Sequence, residues 1–280
     1  MSAQNRKLVG FWGIRLHQFL SFSSFFQKVH SEGGEWAFFP GCSMIGYDQE
    51  LVELTYSWLL KLNPQMGIVS SCCAYPTSGL NDMQKFNVYQ TQLGNKLKSA
   101  GIRKLVVCCP NCTKSLENLE DVDVISIWQF LDEHPCIFKT DEGITYVLHD
   151  PCPTRNYPEI QATFRRVMER GGVTWQEYNS NRRRAICCGK IKMLMMIYPE
   201  KGKELLMKRL SESQNRNILT YCFSCVDSFR KAGCNSVHGL DLIFRRPDEI
   251  RSGAICDVIN IWKNRWKLSR KLSGKDIHKH

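Results

Sequence analysis

Residues 104–112 read KLVVCCPNC, and residues 217–225 read NILTYCFSC. Each stretch is a short apolar run of the kind that forms a buried β-strand, and each ends in a C-x-x-C motif. Upstream of each motif lies an adjacent pair of cysteines, and upstream of each pair lies a single cysteine. The chain therefore carries one cysteine pattern twice.

The two copies of the pattern agree closely in spacing. In the first copy the gaps between cysteine groups are 29 and 35 residues, and in the second they are 34 and 33 residues. The first set consists of Cys42, Cys72, Cys73, Cys109 and Cys112. The second set consists of Cys152, Cys187, Cys188, Cys222 and Cys225. Ten of the fourteen cysteines belong to these sets, which predicts that function resides at two thiolate clusters.

Strand-like and helix-like segments alternate between the cysteine groups. The apolar runs are residues 35–39, 67–70 and 104–107 in the first copy, and 144–148, 185–186 and 217–220 in the second. This alternation predicts an α/β fold of two similar tandem domains, each a mostly parallel sheet flanked by helices. Every cysteine group is expected to follow a strand, so the metal sites are predicted at the carboxyl ends of the strands.

The repeat and the charge distribution suggest four segments. These are an N-terminal amphipathic extension at 1–34, a first cysteine-rich domain at 35–140, a second at 141–250, and a basic aromatic tail at 251–280. The formal net charge is +11. Eight Lys or Arg against two Asp give the tail a net charge of +6, which leaves +5 for the other 250 residues.

The composition favours a cytoplasmic protein. Clustered cysteines in a chain of this length indicate metal or redox chemistry in a reducing compartment rather than a disulfide-stapled secreted fold. The most apolar stretch, 8–29, is interrupted by polar residues, short of the run of about 20 apolar residues that a membrane span needs. It also lacks a small-residue cleavage site, so a signal peptide is not expected.

Five thiolates in each set leave two kinds of metal site open. Four thiolates suffice for a tetrahedral zinc or for a cubane [4Fe–4S] cluster. Adjacent cysteines are poorly placed as two legs of one tetrahedron, because neighbouring side chains diverge at a strand end. A larger cluster with bridging thiolates can use both members of a pair. The alternative is structural zinc with one spare buried cysteine in each set.

These motifs resemble the tandem cysteine-rich CCG domain of the heterodisulfide reductase catalytic subunit. Similar domains occur in subunits of glycolate oxidase, anaerobic glycerol-3-phosphate dehydrogenase, the lactate-utilisation iron–sulfur oxidoreductase and some succinate:quinone reductases. The matching signatures are FFPGC, SCC and VVCCPNC in the first copy, and LHDPC, AICCG and ILTYCFSC in the second. The resemblance extends from residue 36 to about residue 245.

The resemblance implies an iron–sulfur redox protein with two [4Fe–4S] clusters, each held by all five cysteines of a set; in the heterodisulfide reductase branch such clusters are of non-cubane type. It further implies that a disulfide is cleaved by two one-electron steps, with Cys187 and Cys188 as cluster-borne catalytic residues. The two copies differ after the adjacent pair, where Gly189 stands in the second and Ala74 in the first. Since alanine resists the backbone conformations open to glycine, zinc at the first site stays an alternative.

Other residues carry weaker predictions. His149 and Asp150 precede Cys152 and are candidates for tuning the second cluster by hydrogen bonds. Cys108, Cys136, Cys234 and Cys256 fall outside the pattern and are interpreted as ordinary core or surface residues, with Cys108 as an alternative ligand.

The expected partners follow from what the sequence lacks. The chain carries no ferredoxin-type cysteine run, so electrons are expected from, or to, a separate redox partner protein. A disulfide, thiol or quinone-type substrate is expected, although no substrate pocket is legible in the sequence. The alternative function is a non-catalytic zinc-binding scaffold or assembly module on the same fold.

The tail carries Trp262 and Trp266 among lysines and arginines. Aromatic residues beside a basic face are typical of a helix that lies on an anionic membrane surface or docks to an acidic partner. We therefore expect peripheral contact at the inner membrane face, or with an acidic partner, through residues 255–275. A solvated basic helix packed by its apolar side is the alternative, and nucleic-acid binding is not expected.

Overall fold

The computed structural model describes residues 3–138, 143–246, 249–250 and 258–273. Contacts divide the chain into two compact units. The first unit comprises residues 9–126 and 256–280, and the second comprises residues 1–8 and 127–255. Cys256 and the predicted boundary at 140/141 lie outside the described residues, as do parts of the tail.

The elements are numbered in chain order. The strands are β1 Lys28–His30, β2 Trp36–Phe39, β3 Gly67–Ser70, β4 Lys104–Val107, β5 Asp123–Ser126, β6 Thr145–His149, β7 Thr174–Glu177, β8 Asn217–Thr220 and β9 Asn235–His238. The helices are α1 Ala3–Ser21, α2 Gly41–Tyr47, α3 Gln49–Leu62, α4 Tyr75–Gly79, α5 Met83–Ser99, α6 Pro110–Leu116, α7 Ile127–Glu133, α8 Pro158–Arg170, α9 Leu194–Ile197, α10 Pro199–Leu210, α11 Phe223–Lys231, α12 Gly239–Phe244 and α13 Val258–Ser273.

Each unit is built on one mostly parallel sheet. In the first unit the strand order is β1-β3-β2-β4-β5, and only the edge pair β1–β3 is antiparallel. In the second unit the order is β7-β6-β8-β9, and every neighbouring pair is parallel. Phe39 on β2 is level with Val107 on β4, so the segments carrying Cys42 and Cys109 leave the sheet at the same edge. The predicted α/β architecture with two tandem sheets is confirmed.

Polar N-cap residues and buried apolar faces position the helices around these sheets. Asp48 caps α3 by accepting hydrogen bonds from the backbone N–H groups of Glu50 and Leu51, which satisfies donors that the first helical turn leaves free. Asp82 caps α5 in the same way through Lys85. The inner face of α5 buries Leu93 and Leu97 completely.

Helix α7 packs within the second unit, although the sequence places its residues in the first domain. Its Trp128 ring makes an edge-on contact with the Phe164 ring of α8, with centroids 4.6 Å apart. A Cβ atom at Gly239 would lie 2.7 Å from both of these rings, so the contact requires glycine at that position. The two compact units therefore divide at Ser126/Ile127.

The prediction of a β-strand at residues 185–186 was wrong. The sheet position is taken by β7, which ends ten residues before Cys187, and a short 3₁₀ turn at Arg182–Arg184 leads into the pair. Side chains hold this loop where sheet hydrogen bonds would otherwise do so. Asp150 accepts from the Arg182 N–H at 2.7 Å, and Arg155 donates to the Ala185 carbonyl at 2.7 Å.

Candidate metal centres

The five thiols of the second set lie in one continuous series of contacts. Cys152 contacts Cys187, Cys187 contacts its neighbour Cys188, Cys188 contacts Cys225, and Cys225 contacts Cys222. The Sγ atoms of Cys225 and Cys188 are 3.1 Å apart. Four of the five side chains are buried, and Cys152 is half-buried. The fold thus gathers thiols that are up to 73 residues apart in sequence.

The first set has the same order of contacts. Cys42 contacts Cys72 at an Sγ–Sγ distance of 3.9 Å, and the series continues through Cys73 and Cys112 to Cys109. Here too four side chains are buried, and the single upstream cysteine, Cys42, is half-buried. Both adjacent pairs therefore occupy the middle of a five-thiol series.

The adjacent cysteines do not diverge as the strand-end argument predicts. Neither pair lies in an extended strand, because β3 ends at Ser70 and the second pair follows a 3₁₀ turn. A residue in the left-handed conformation comes directly after each pair, Ala74 with φ 59° and Gly189 with φ 91°. The chain therefore turns at the pair, which lets both sulfur atoms contact other members of their set.

The C-x-x-C motifs sit at helix N-termini in both units. Cys109 is the N-cap of α6 and Cys222 is the N-cap of α11. The N–H of Cys112 donates to the Cys109 carbonyl at 2.8 Å, and the N–H of Cys225 donates to the Cys222 carbonyl at 2.9 Å. A helix N-terminus favours anions, but hydrogen bonds to neighbouring thiols and burial raise the pKa of Cys112 and of Cys225 well above the ordinary value.

One thiol in each adjacent pair is prepared as a thiolate. Hydrogen bonds from Cys152 and Cys188, joined by the backbone N–H groups of Ile191 and Gly189, lower the pKa of Cys187 to about 3. Hydrogen bonds from Cys112 and Cys72 lower the pKa of Cys73 to about 6. The neighbouring thiols donate these bonds, which raises their own pKa values, so metal binding at either set must release protons.

The carbonyl of the second cysteine in each pair is anchored by a side chain that the sequence analysis did not single out. Ser228 of α11 donates to the Cys188 carbonyl at 2.6 Å. Gln90 of α5 donates to the Cys73 carbonyl at 2.9 Å. Because the two anchors differ in type and in sequence position, spacing offered no signal for them.

His149 ends β6 beside the second set. One of its ring nitrogens lies within 4.8 Å of the sulfur atoms of Cys188 and Cys225, so these three residues have the spacing of metal ligands. Nδ1 already accepts a hydrogen bond from Arg209 Nε at 3.0 Å, and Nε2 is buried without a hydrogen-bond partner. Burial and the charges of Arg209 and Arg155 hold the His149 pKa well below its usual value, so the ring is neutral.

The hydrogen bond from Arg209 decides the tautomer of His149. Arginine remains protonated in proteins and can only donate, so Nδ1 carries no proton. A neutral ring must then carry its proton on Nε2, the nitrogen left for the thiols. Nε2 has no hydrogen-bond partner among the described residues, so the predicted hydrogen bond from His149 to the second set stays a prediction.

Asp150 stabilises the fold of the second unit through buried hydrogen bonds. Its carboxylate accepts two hydrogen bonds from Arg165, at 3.0 and 2.8 Å, and one from the Tyr221 hydroxyl at 2.7 Å. Burial opposes its charge, but these donors and the Arg182 N–H lower its pKa. Its hydrogen bonds within the described residues run to these groups, so its link to the cysteines passes through the loop it holds.

Helices outside the predicted cysteine-rich domains contribute to the first set. Gln18 of α1 donates from Nε2 to Cys72 Sγ at 3.3 Å and accepts at Oε1 from Thr77 at 3.0 Å. His17 hydrogen-bonds Cys42 and lowers its pKa, although contact with Cys72 and burial raise that pKa more strongly. Arg265 of α13 is buried, and its charge lowers the pKa of both Cys42 and Cys72. Sequence spacing gave no signal for these residues.

The cysteines outside the pattern are placed apart from the thiol series. Cys108 is buried, and burial raises its pKa well above the ordinary value. Cys234 packs in the apolar core of the second unit, and Cys136 is half-buried. Their interpretation as ordinary core or surface residues stays a prediction.

Two similar parallel α/β units, each gathering five thiols at one edge of its sheet, define a tandem cysteine-rich protein. Residues 36–117 and 146–230 each match the CCG family, which is described as a cysteine-rich domain. The chain belongs to this family, and the predicted tandem arrangement is confirmed. Family membership and the two thiol sets mark the chain as an iron–sulfur or metal-binding protein.

Other comparisons are less close. Among curated proteins, none matches the chain. A candidate Asp/Glu racemase from Yersinia pestis aligns at 13% identity and a TM-score of 0.32, over 85% of this chain and 99% of that one. An aspartate racemase homologue from Pyrococcus horikoshii OT3 aligns at 12% identity and a TM-score of 0.32, over 86% and 100%. Likenesses this loose inform neither the fold nor the site.

Proposed function

We propose that the protein is an iron–sulfur oxidoreductase with a [4Fe–4S] cluster at each five-cysteine set, resembling the heterodisulfide reductase catalytic subunit. It would reduce a disulfide, or transfer electrons between a partner protein and a thiol or quinone-type substrate. The observation that carries the proposal is the shared order of thiol contacts, in which the adjacent pair lies at the centre of each set.

The donor set fits a cluster with several irons better than a single zinc ion. A tetrahedral zinc uses four ligands, and its fifth cysteine would be a spare. In both sets the two members of the pair contact different partners, Cys187 with Cys152 and Cys188 with Cys225, so neither sulfur stands outside the series. Ten cysteines, five in each set, would hold the two clusters.

When bound, such clusters supply one-electron redox steps. The residues of the chain hold the sulfurs and tune them. Hydrogen bonds from Cys152 and Cys188 favour the thiolate form of Cys187, and the His149 ring lies beside the set. Reduction of a disulfide takes two electrons and two protons and yields two thiols. A separate redox partner protein would supply the electrons, and a reducing cytoplasm is the compartment that suits these free thiols.

Metal content tests the proposal. Anaerobically purified protein is expected to contain about eight irons and matching sulfide, based on one four-iron cluster per set. Cys188→Ser is expected to remove or convert the second cluster's EPR signal. Cys234→Ser, which alters a buried cysteine of the same core outside the series, is expected to leave iron content and EPR unchanged.

Zinc without iron under strict anaerobic handling would contradict the proposal and support the scaffold alternative. Four irons with one zinc would restrict the iron–sulfur proposal to one set and assign zinc to the other. Zinc at the first set is the alternative that the alanine after its adjacent pair left open. An unchanged spectrum in Cys188→Ser would show that this cysteine is not a ligand. Reduced protein that fails to cleave a small-molecule disulfide would favour electron transfer over disulfide reduction.

A further inference from the structure

The N-terminal helix α1 has a buried inner side and an apolar outer side. Its inner side buries Ile14, Gln18 and Ser21 against the first unit. Its outer side presents an apolar stripe, spaced three and four residues apart like one helix face and exposed by 59–67%. The apolar stripe consists of Val9, Trp12, Leu16 and Phe19. Exposed apolar side chains that are contiguous on one helix face mark a candidate interaction site, so we expect a partner to cover this stripe.

The C-terminal helix α13 lies beside α1. The Trp262 ring lies 5.1 Å from the His17 ring, and Arg265 Nη1 donates to Ser21 Oγ at 2.7 Å. One turn further on, the Ser269 hydroxyl donates to the Phe25 carbonyl. These three contacts follow each other in chain order on both sides, so the two helices run side by side and their exposed faces are neighbours.

The outer face of α13 is basic. Arg265, Leu268 and Ser269 point inward and are buried. Four of its exposed residues form a basic strip, which consists of Lys263, Trp266, Lys267 and Arg270. The Arg270 guanidinium lies over the Trp266 ring, 4.9 Å from its centroid. Among the described residues of the predicted contact region 255–275, this face is therefore the one that is exposed to a partner.

We propose that the apolar stripe and the basic strip form one surface that binds an anionic lipid bilayer. Exposed Val, Leu, Phe and Trp beside Lys and Arg are the composition of helices that lie in the membrane interface. None of the described helices is long and apolar enough to cross a bilayer. The surface therefore lies on the membrane, with the apolar stripe among the upper acyl chains and the basic strip at the headgroups.

Charge complementarity favours lipid over a second copy of the chain. Neither α1 nor α13 contains an Asp or Glu residue. A symmetric dimer through this surface would bury its basic strips without acidic partners from either helix, which costs free energy. Phosphate headgroups of an anionic bilayer pair with such lysines and arginines and leave their hydration largely intact.

Vesicle co-sedimentation of the full chain tests this surface. Binding is expected to vesicles of phosphatidylcholine with phosphatidylglycerol, to be much weaker with phosphatidylcholine alone, and to fall as salt rises. Trp12→Glu/Phe19→Glu and Lys263→Glu/Lys267→Glu are each expected to weaken binding by about tenfold or more. The matched controls Val88→Glu and Lys98→Glu, at exposed sites on α5, are expected to bind like the unaltered chain.

Three outcomes would overturn the proposal. The first is no binding to anionic vesicles by folded protein, with circular dichroism as the check on folding. The second is an equal loss of binding in the α5 controls. The third is a dimer in light scattering that the stripe variants convert to a monomer, because that result would assign the surface to a second copy.

Discussion

At the scale of single residues, one hydrogen bond decides what His149 can do. A histidine within 4.8 Å of two thiols has the spacing of a metal ligand. Arg209 removes that option by donating to Nδ1, and it is itself held by the Ser180 carbonyl and the Glu212 carboxylate, each at 2.6 Å. Its guanidinium also stacks 3.6 Å from the centre of the Tyr178 ring. Such a fixed donor leaves Nε2 as the protonated nitrogen, and we predict that this N–H donates to a cluster sulfur when the metal is bound.

Replacing His149 by leucine is expected to lower the midpoint potential of the second cluster without loss of metal. Hydrogen bonds to cluster sulfurs raise the potential because they stabilise the more reduced, more negative state. A hydrogen bond of about 1 kcal/mol corresponds to a shift of roughly 40 mV in a one-electron couple. EPR-monitored redox titration with parallel iron analysis measures both quantities.

His238→Leu is the matched control for this prediction. His238 is equally buried and its Nδ1 also accepts a hydrogen bond, from the Leu240 N–H at 3.2 Å, but its ring stacks on Phe223. The potential of the second cluster should not change in His238→Leu. Loss of metal in His149→Leu, with iron retained in His238→Leu, would instead identify His149 as a ligand.

The sequence pointed to the right residue here but not to its chemistry. His149 was a candidate because it lies three residues before Cys152. The role of its nitrogens depends on Arg209, which is 60 residues away and reaches the site only when α10 packs on the sheet. Asp150 shows the same limit, since its hydrogen-bond partners Arg165, Arg182 and Tyr221 come from three different elements.

At the scale of elements, the turn after each adjacent pair is shared although the residue is not. Ala74 takes the left-handed conformation that alanine ordinarily avoids, at a cost of about 1–2 kcal/mol. Gly189 adopts the same conformation without that cost, because it has no Cβ atom. A second constraint also favours glycine at this position. A Cβ atom there would lie 2.3 Å from the carbonyl oxygen of Gly202 on α10, whereas the turn of the first copy accommodates the Cβ atom of Ala74. The glycine of the second copy thus permits close helix packing.

Gly189→Ala is therefore expected to destabilise the protein by at least about 2 kcal/mol, from the left-handed backbone and the overlap with Gly202 together. Ala74→Gly is expected to change stability by less than about 1 kcal/mol, because relief of strain is offset by a more flexible unfolded chain. Urea unfolding of both variants measures the difference. Equal effects of the two substitutions would show that the Gly202 contact does not constrain this turn.

Elements with strong local patterns could be predicted from sequence, and those fixed by distant contacts could not. The apolar run at 104–107 could be predicted as a strand because the pattern of a short buried strand needs only neighbouring residues. The backbone conformation leading to Cys187 could not be predicted from the sequence. Its loop, Arg182–Arg184, is held by hydrogen bonds with Asp150 and Arg155 instead of by sheet hydrogen bonds. Likewise, nothing in local sequence assigns α7 to the second unit, where Trp128 packs on Phe164.

At the scale of the whole molecule, the first unit contains most of the N-terminal helix α1, from Val9 onward, together with the C-terminal helix α13. Helix α13 packs directly on α2, the helix that carries Cys42, where a Cβ atom at Gly46 would lie 3.1 Å from Ile261. Gln49, the first residue of α3, donates from its side chain to the Asn264 carbonyl of α13 at 3.0 Å. Through these contacts the terminal helices place Gln18, His17 and Arg265 beside the first thiol set. The same helices carry the proposed lipid surface on their outer faces.

Arg265 is expected to act as a counter-charge to an anionic cluster at the first set. Its side chain is only 1% exposed, and beyond the bond to Ser21 its Nε and Nη2 atoms lack hydrogen-bond partners within the described residues. A buried cation is costly unless opposite charge lies nearby, and thiolates at Cys42 and Cys72 would supply it. Arg265→Gln should therefore lower the midpoint potential of the first cluster, because a nearby positive charge stabilises the reduced state.

Redox titration of the loaded protein separates this role from a structural one. The second cluster's potential should stay fixed in Arg265→Gln, and Arg265→Lys should recover much of the first cluster's potential because the positive charge returns. Lys263→Gln removes an exposed charge from the same helix and should leave both potentials in place, since solvent screens it. A potential that falls equally in Arg265→Gln and Arg265→Lys would assign Arg265 to helix packing alone, and an unchanged potential in Arg265→Gln would show that its charge does not reach the cluster.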